Sequence, residues 1–307
     1  MIELRRATHA LVDGVRYPEA LTRLYGRDDV TEVEPLYRTT RWQDMAGQGP
    51  ILIRLQNAAL VDEMLADGSG DLMRATSWLV SHETTQTLAN HLRQFVQITA
   101  TGRGPRLLRF ADPLVARHWL ESYGERVPAE VLGPIDTWWM AHWAPLWAPA
   151  AKPAWQAFRA PLDIAPDRRS GTSPAHFGPA QLDALETVSR WQFKERLAMH
   201  FALTAPRIWQ GLSPTRRGQW LDDRLADAVA WGATTERQAA IWVELSLYWG
   251  ADFMTRADGP YAQWYSRYPE ADKLSHQQCL YALDIWRASP EAARFENPVL
   301  MHEAGHV

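Results

Sequence analysis

The chain has 307 residues, a formal charge of -4, a pI near 6.2 and 22% charged residues. That length accommodates one large domain or two smaller ones, and two lobes are expected. The mildly acidic balance argues against a general electrostatic affinity for nucleic acid or anionic membrane. A single cysteine, Cys279, excludes an internal disulfide framework and any multi-cysteine metal site, and fits a reducing compartment.

The opening MIELRRATHALVDG carries Glu3, Arg5 and Arg6 but no apolar run long enough for export. No stretch approaches the roughly 18 uncharged apolar residues that a membrane helix needs. A cytoplasmic protein is the expectation. The 16 tryptophans are roughly four times an average share; indoles serve both as core filler and as interface anchors, and core is expected for most of them.

In chain order, HALVDG (9–14) reads as a short strand ended by a turn, and YPEALTRLYG as an amphipathic helix closed by Gly26. GPILIRL (49–55) is strand-like, NAALVDEMLADG (57–68) helical, ATSWLV (75–80) strand-like and ETTQTLANHLRQFVQI (83–98) helical. RLLRF (106–110) then reads as a buried strand and PLVARHWLESYG as a helix. At that junction Asp112 has the side chain of a helix N-cap and Pro113 suits the first helical position, while Arg109, like Arg93, can bind an anion, and equally can pair with Asp112 or another acid and pin the strand end. This alternation predicts an α/β N-terminal lobe with βαβα order and a mostly parallel sheet.

Residues 125–178 break the rhythm. Trp138, Trp139, Trp143, Trp147 and Trp155 crowd a proline-interrupted stretch compatible with a strand pair closing the sheet. They are candidate partner-binding residues, because exposed aromatic clusters mark recognition surfaces; the competing reading is that strand alternation sends Trp138 inward. From Pro179 the pattern is helical: Leu182, Leu185, Phe193, Leu197 and Phe201 fall on one stripe. Thr235 with Gln238 and Ser275 with Gln278 have capping-box spacing, and Gly232 and Gly250 stand where helices should stop. The expected organisation is an α/β domain over 1–160, a linker over 161–178, an all-α lobe over 179–296 and a flexible tail over 297–307.

His302-Glu303-Ala304-Gly305-His306 matches H-E-x-x-H, in which two histidines one turn apart bind zinc and the glutamate activates water. A zinc-dependent hydrolase is therefore the competing function. Against it, Gly305 weakens the turn and no third ligand follows the motif, so neither a metal nor another cofactor is expected. Gly68-Ser69-Gly70 lacks nucleophile-elbow spacing, no phosphate-binding glycine loop is present, and Cys279 reads as a core thiol. His82 and His91 straddle one expected helix and His118 lies on the next, so the three imidazoles could converge, but without paired carboxylates at matching spacing they read as surface or satisfied structural histidines. No catalytic residue is expected.

HALVDG, GPILIRL, SWLVSHETTQTLANHLRQFVQI, LLRFADPLVARHWLE and LGPIDTWW, taken in that order over about residues 8–140, resemble the N-terminal domain of the type VI secretion effector chaperones, the Tap/Tec adaptor family. The LLRF-x-DP junction, with Arg109, Phe110, Asp112 and Pro113, is the most specific element, and GATTERQAAIWVELSLYWGADF resembles the family's more variable helical half. The resemblance implies a non-enzymatic bacterial loading factor with two protein partners, a cognate toxic effector and the spike protein VgrG. It does not account for the HEAGH tail.

Overall fold

The computed structural model describes residues 3–100, 103–159 and 175–296. Over these the chain divides into two compact units, one within Met1–Trp143 and Lys152–Ser189, the other within Ala144–Ala151 and Arg190–Val307. Most of the expected linker and all of the expected tail lie outside the described residues.

In the first unit the order is β1 (His9–Asp13), α1 (Ala20–Tyr25), β2 (Val30–Pro35), β3 (Pro50–Leu55), α2 (Ala59–Ala66), α3 (Asp71–Ala75), β4 (Thr76–Val80), α4 (Thr85–Arg93), β5 (Gln97–Ala100), β6 (Arg103–Leu107), α5 (Pro113–Glu121), α6 (Ala129–Leu132), β7 (Thr137–His142), β8 (Ala154–Arg159) and β9 (Ala175–His176). A six-stranded sheet runs β2-β3-β1-β4-β7-β8, and each of its pairings is antiparallel. The expectation of a mostly parallel sheet is thereby corrected. Among the described residues a parallel pairing occurs only between β5 and β9, in a separate small sheet ordered β6-β5-β9.

Two physical features produced the parallel reading. The apolar runs of β1 and β3 lack in–out alternation because the centre of the sheet is covered on both faces: Leu11 and Leu52 on one side and Val12, Ile51 and Trp78 on the other are all fully buried. Near-continuous apolar strands are the usual mark of a parallel sheet. The chain does cross over helically from β3 through α2 and α3 to β4. Both strands run antiparallel to β1, so they share a direction, but β1 lies between them. The βαβ rhythm is therefore split by an inserted strand.

Local corrections follow the same logic. The helix expected over 83–98 stops at Arg93, and Gln97 begins β5. The strand expected over 106–110 ends at Leu107, which is exposed, while Leu108 and Phe110 are buried beyond it.

The second unit is helical, with α7 (Pro179–Thr204) entering it from the first, then α8 (Pro206–Gly211), α9 (Pro214–Trp231), α10 (Glu236–Trp249), α11 (Pro260–Arg267), α12 (His276–Arg287) and α13 (Pro290–Ala293). Both capping boxes form: the Thr235 and Ser275 hydroxyls accept from the amides of Gln238 and Gln278, whose side chains bond back. Gly232 ends α9 with φ of 116°, a backbone state that other residues rarely adopt. Its core is aromatic, with Trp209, Trp242, Trp249, Trp264 and Trp286 buried together.

Candidate functional site

At the end of β1, Asp13 turns the chain. Its Oδ1 accepts from the amides of Val15 at 2.8 Å and Arg16 at 3.1 Å. Gly14 is required here because a Cβ would sit 2.2 Å from the Gly47 carbonyl oxygen. The turn brings Arg16 to the start of α5, where Asp112 caps the helix through Oδ1, 3.0 Å from the Leu114 amide, with Pro113 behind it. Arg16 Nε lies 2.8 Å from Asp112 Oδ2, an ion pair without hydrogen-bond alignment. Arg109 reaches Asp13 Oδ2 at 2.8 Å and stands 3.8 Å from Asp112 Oδ2.

Asp13, Arg16, Arg109 and Asp112 thus form a charge-balanced group in which both acids are buried. Burial raises the Asp112 carboxyl above its ordinary value, opposed by Arg16 and, less strongly, by Arg109. Burial together with the Asp13 charge pushes the Tyr37 phenol up to about 12. For Arg109, burial acts downward, yet Asp13 and Asp112 outweigh it and hold the guanidinium above its usual range. Each acid already has a cationic partner, so the cluster ties β1, the turn after it and α5 together. Phe110, fully buried, packs edge-on against Phe95 at 6.3 Å and anchors the junction from the apolar side.

The sequence marked Arg109 and Asp112 but not Asp13 and Arg16. Asp13-Gly14 is a turn signature, so a turn acid was legible; that it meets Arg109 across the fold was not.

The five candidate tryptophans separate. Trp138 is fully buried, donates to Ser77 Oγ at 2.8 Å and meets Trp119 edge-on at 6.4 Å. Trp143 is also buried. Trp147 belongs to the second unit, where it is buried against Trp191 at 5.4 Å and lies 4.7 Å from the Lys194 ammonium. Trp139 and Trp155 are half-buried. The β7–β8 register sets Trp139 opposite Ala157 and Trp155 opposite Ala141, so both indoles project from one hairpin face. The Arg159 guanidinium lies 5.5 Å from the Trp139 ring centre, also on that face.

The three histidines have different partners. His82 is exposed and 3.9 Å from Asp136, His91 is buried 3.0 Å from the Val131 carbonyl oxygen, and His118 neighbours Arg117 and Glu121. His302, Glu303 and His306 lie outside the described residues. Among the described residues no group of three His, Cys, Asp or Glu side chains is placed to hold a metal ion. No helix among them is long and apolar enough to cross a membrane. Cys279 is a buried free thiol whose ionisation burial suppresses.

What this geometry defines is a sheet-and-helix scaffold pinned at a buried strand–helix junction, beside an edge hairpin that presents two indoles. Residues 8–128, which include the whole junction, match the family model described as Domain of unknown function (DUF4123). No curated protein and no solved structure matches the chain.

Proposed function

We propose that this chain is a non-enzymatic cytoplasmic adaptor of a bacterial type VI secretion system, which binds a cognate toxic effector and loads it onto the spike protein VgrG. The observation that carries this reading is a coincidence of position. The family match over residues 8–128 takes in four of the five ordered blocks that resemble the effector-chaperone family, LLRF-x-DP among them, and stops before the last, LGPIDTWW. Two further features support it. The charged groups of the junction are engaged with one another, as suits a scaffold. Trp139 and Trp155 retain partial exposure on one hairpin face, as suits a contact with a protein partner.

The test is a chromosomal deletion of this chain, followed by measurement of secretion of the type VI toxins of the same cell. Loss of toxin secretion while the apparatus still releases its tube protein supports the adaptor reading. Unchanged toxin secretion contradicts it.

A further inference from the structure

Arg117 on α5 stands out among the arginines. Its side chain is only 7% exposed, and its buried Nε has no hydrogen-bond partner. Nη2 lies 3.4 Å from His118 Nε2, and Nη1 is 3.6 Å from Glu121 Oε1, beyond hydrogen-bond reach. The chain satisfies a guanidinium fully elsewhere: Arg27 makes two bonds to Asp29, at 2.7 and 3.0 Å. A guanidinium is a planar fork matched to a carboxylate or phosphate, and burying one without such a partner is costly.

Around Arg117 the basic groups outnumber the acids. His118 flanks it on α5, and the exposed His142 at the end of β7 shares the strand face of Trp138, whose indole packs on Trp119 of α5 at 6.4 Å. Burial and the Arg117 charge hold both imidazoles below their ordinary value, and Glu121 opposes this. On β8, the residue opposite His142 is the uncharged Ala154. The half-exposed Glu121 is the one carboxylate acting on all three basic groups, and it sits 3.7 Å from His118 Nδ1.

We infer that Arg117, His118 and His142 form a binding site for a single oxyanion, a carboxylate or a phosphate group, which displaces Glu121 from the guanidinium. The guanidinium supplies the paired donors, and the two imidazoles close the sides as charge-assisted donors once protonated. This inference does not depend on the adaptor reading.

The experiment uses the full chain, with the imidazole resonances of His118 and His142 followed by NMR during separate titrations with sodium acetate and inorganic phosphate, at constant ionic strength set with chloride. Binding shifts both resonances saturably and raises both imidazole pKa values. Saturation by acetate alone assigns the ligand as a carboxylate, saturation by phosphate alone as a phosphate, and saturation by both shows a site that accepts either oxyanion. Arg117→Lys keeps the charge but loses the fork, and weakens binding about tenfold. Glu121→Gln removes the competing carboxylate and tightens it several-fold. Failure of both probes to shift the wild-type resonances overturns the site, as does an equal response in Arg117→Lys. Should Arg117→Lys fail to fold, an unchanged affinity in Glu121→Gln overturns it independently.

Discussion

The first unit encloses polar and charged side chains, His9, Asp13, Ser77, Asp112 and Arg117 among them, whereas the second encloses Lys194, Gln238 and Ser246 within a core of indoles and aliphatic groups. The difference is one of directionality. Hydrogen bonds and ion pairs hold the first unit to one register, because a buried polar group that loses its partner is destabilising in itself. Indole packing stabilises by area and shape and tolerates a change of ring better than a change of volume.

The largest effect is expected in the second unit. Trp249 is fully buried and its Nε1 has no hydrogen-bond partner, so Trp249→Ala should cost about 3–5 kcal/mol in urea unfolding, and Trp249→Phe much less. In the first unit, Trp138→Phe also removes the bond to Ser77 and should cost more than Trp249→Phe. Equal costs for the two phenylalanine variants would erase the comparison.

A pH dependence sharpens it from the other side. Burial is the chief cause lowering the His9 imidazole from 6.5 to about 4, with Arg54 adding to it, and its ring nitrogens lie 2.9 and 3.3 Å from the Thr8 and Thr85 hydroxyls. The folded state therefore keeps His9 neutral, while the unfolded chain takes up a proton below about 6.5. The contribution of His9 is fully present above that value and is lost as pH falls toward 4, by about 3 kcal/mol in total. Because other buried histidines slope the same way, the difference between wild type and His9→Gln isolates it. Parallel stability–pH curves for the two would refute the assignment.

Third in size, Asp112→Ala removes a cap and the ion-pair partner of Arg16, and should cost about 2–3 kcal/mol. Arg16 and Arg109 are partly exposed, which holds the cost below that of a fully buried pair. Asp112→Asn keeps a cap acceptor and loses only the charge, so thermal unfolding of the two variants separates the contributions. An asparagine variant as unstable as the alanine one would make the charge dominant. The smallest effect is expected at the hairpin face, where Trp155→Ala should cost under about 1 kcal/mol because the indole is half-buried. A loss comparable to that of Trp249→Ala would show that Trp155 is core.

The legible parts of this fold were those written in local chemistry. Asp112-Pro113, the Thr235 and Ser275 capping boxes and the Gly232 stop are each decided within a few residues, and each forms. Strand direction is not local. HALV and ILI carry no mark of which neighbour they will pair with, and burial on both faces removed the alternation that would have signalled an antiparallel sheet. The strand β2 carries a weak signal, because Glu32 and Glu34 interrupt its apolar pattern and Pro35 ends it at the sheet edge. The junction was half legible: Asp112 declares itself as a cap, whereas its Arg16 partner lies 96 residues away along the chain, and only the tertiary fold joins them. The tryptophan stretch was legible as aromatic but not as divided, since one strand alternation and one unit boundary determine which indoles are enclosed.

The most direct measurement is co-expression of this chain with a type VI toxin and a VgrG spike protein from the same genome, followed by size-exclusion chromatography with mass determination of each peak. The account predicts a complex of this chain with the toxin and its joint elution with the spike, weakened by Trp139→Ala and Trp155→Ala without loss of folding. Elution of the chain apart from both proteins, under conditions in which each is folded, would contradict it.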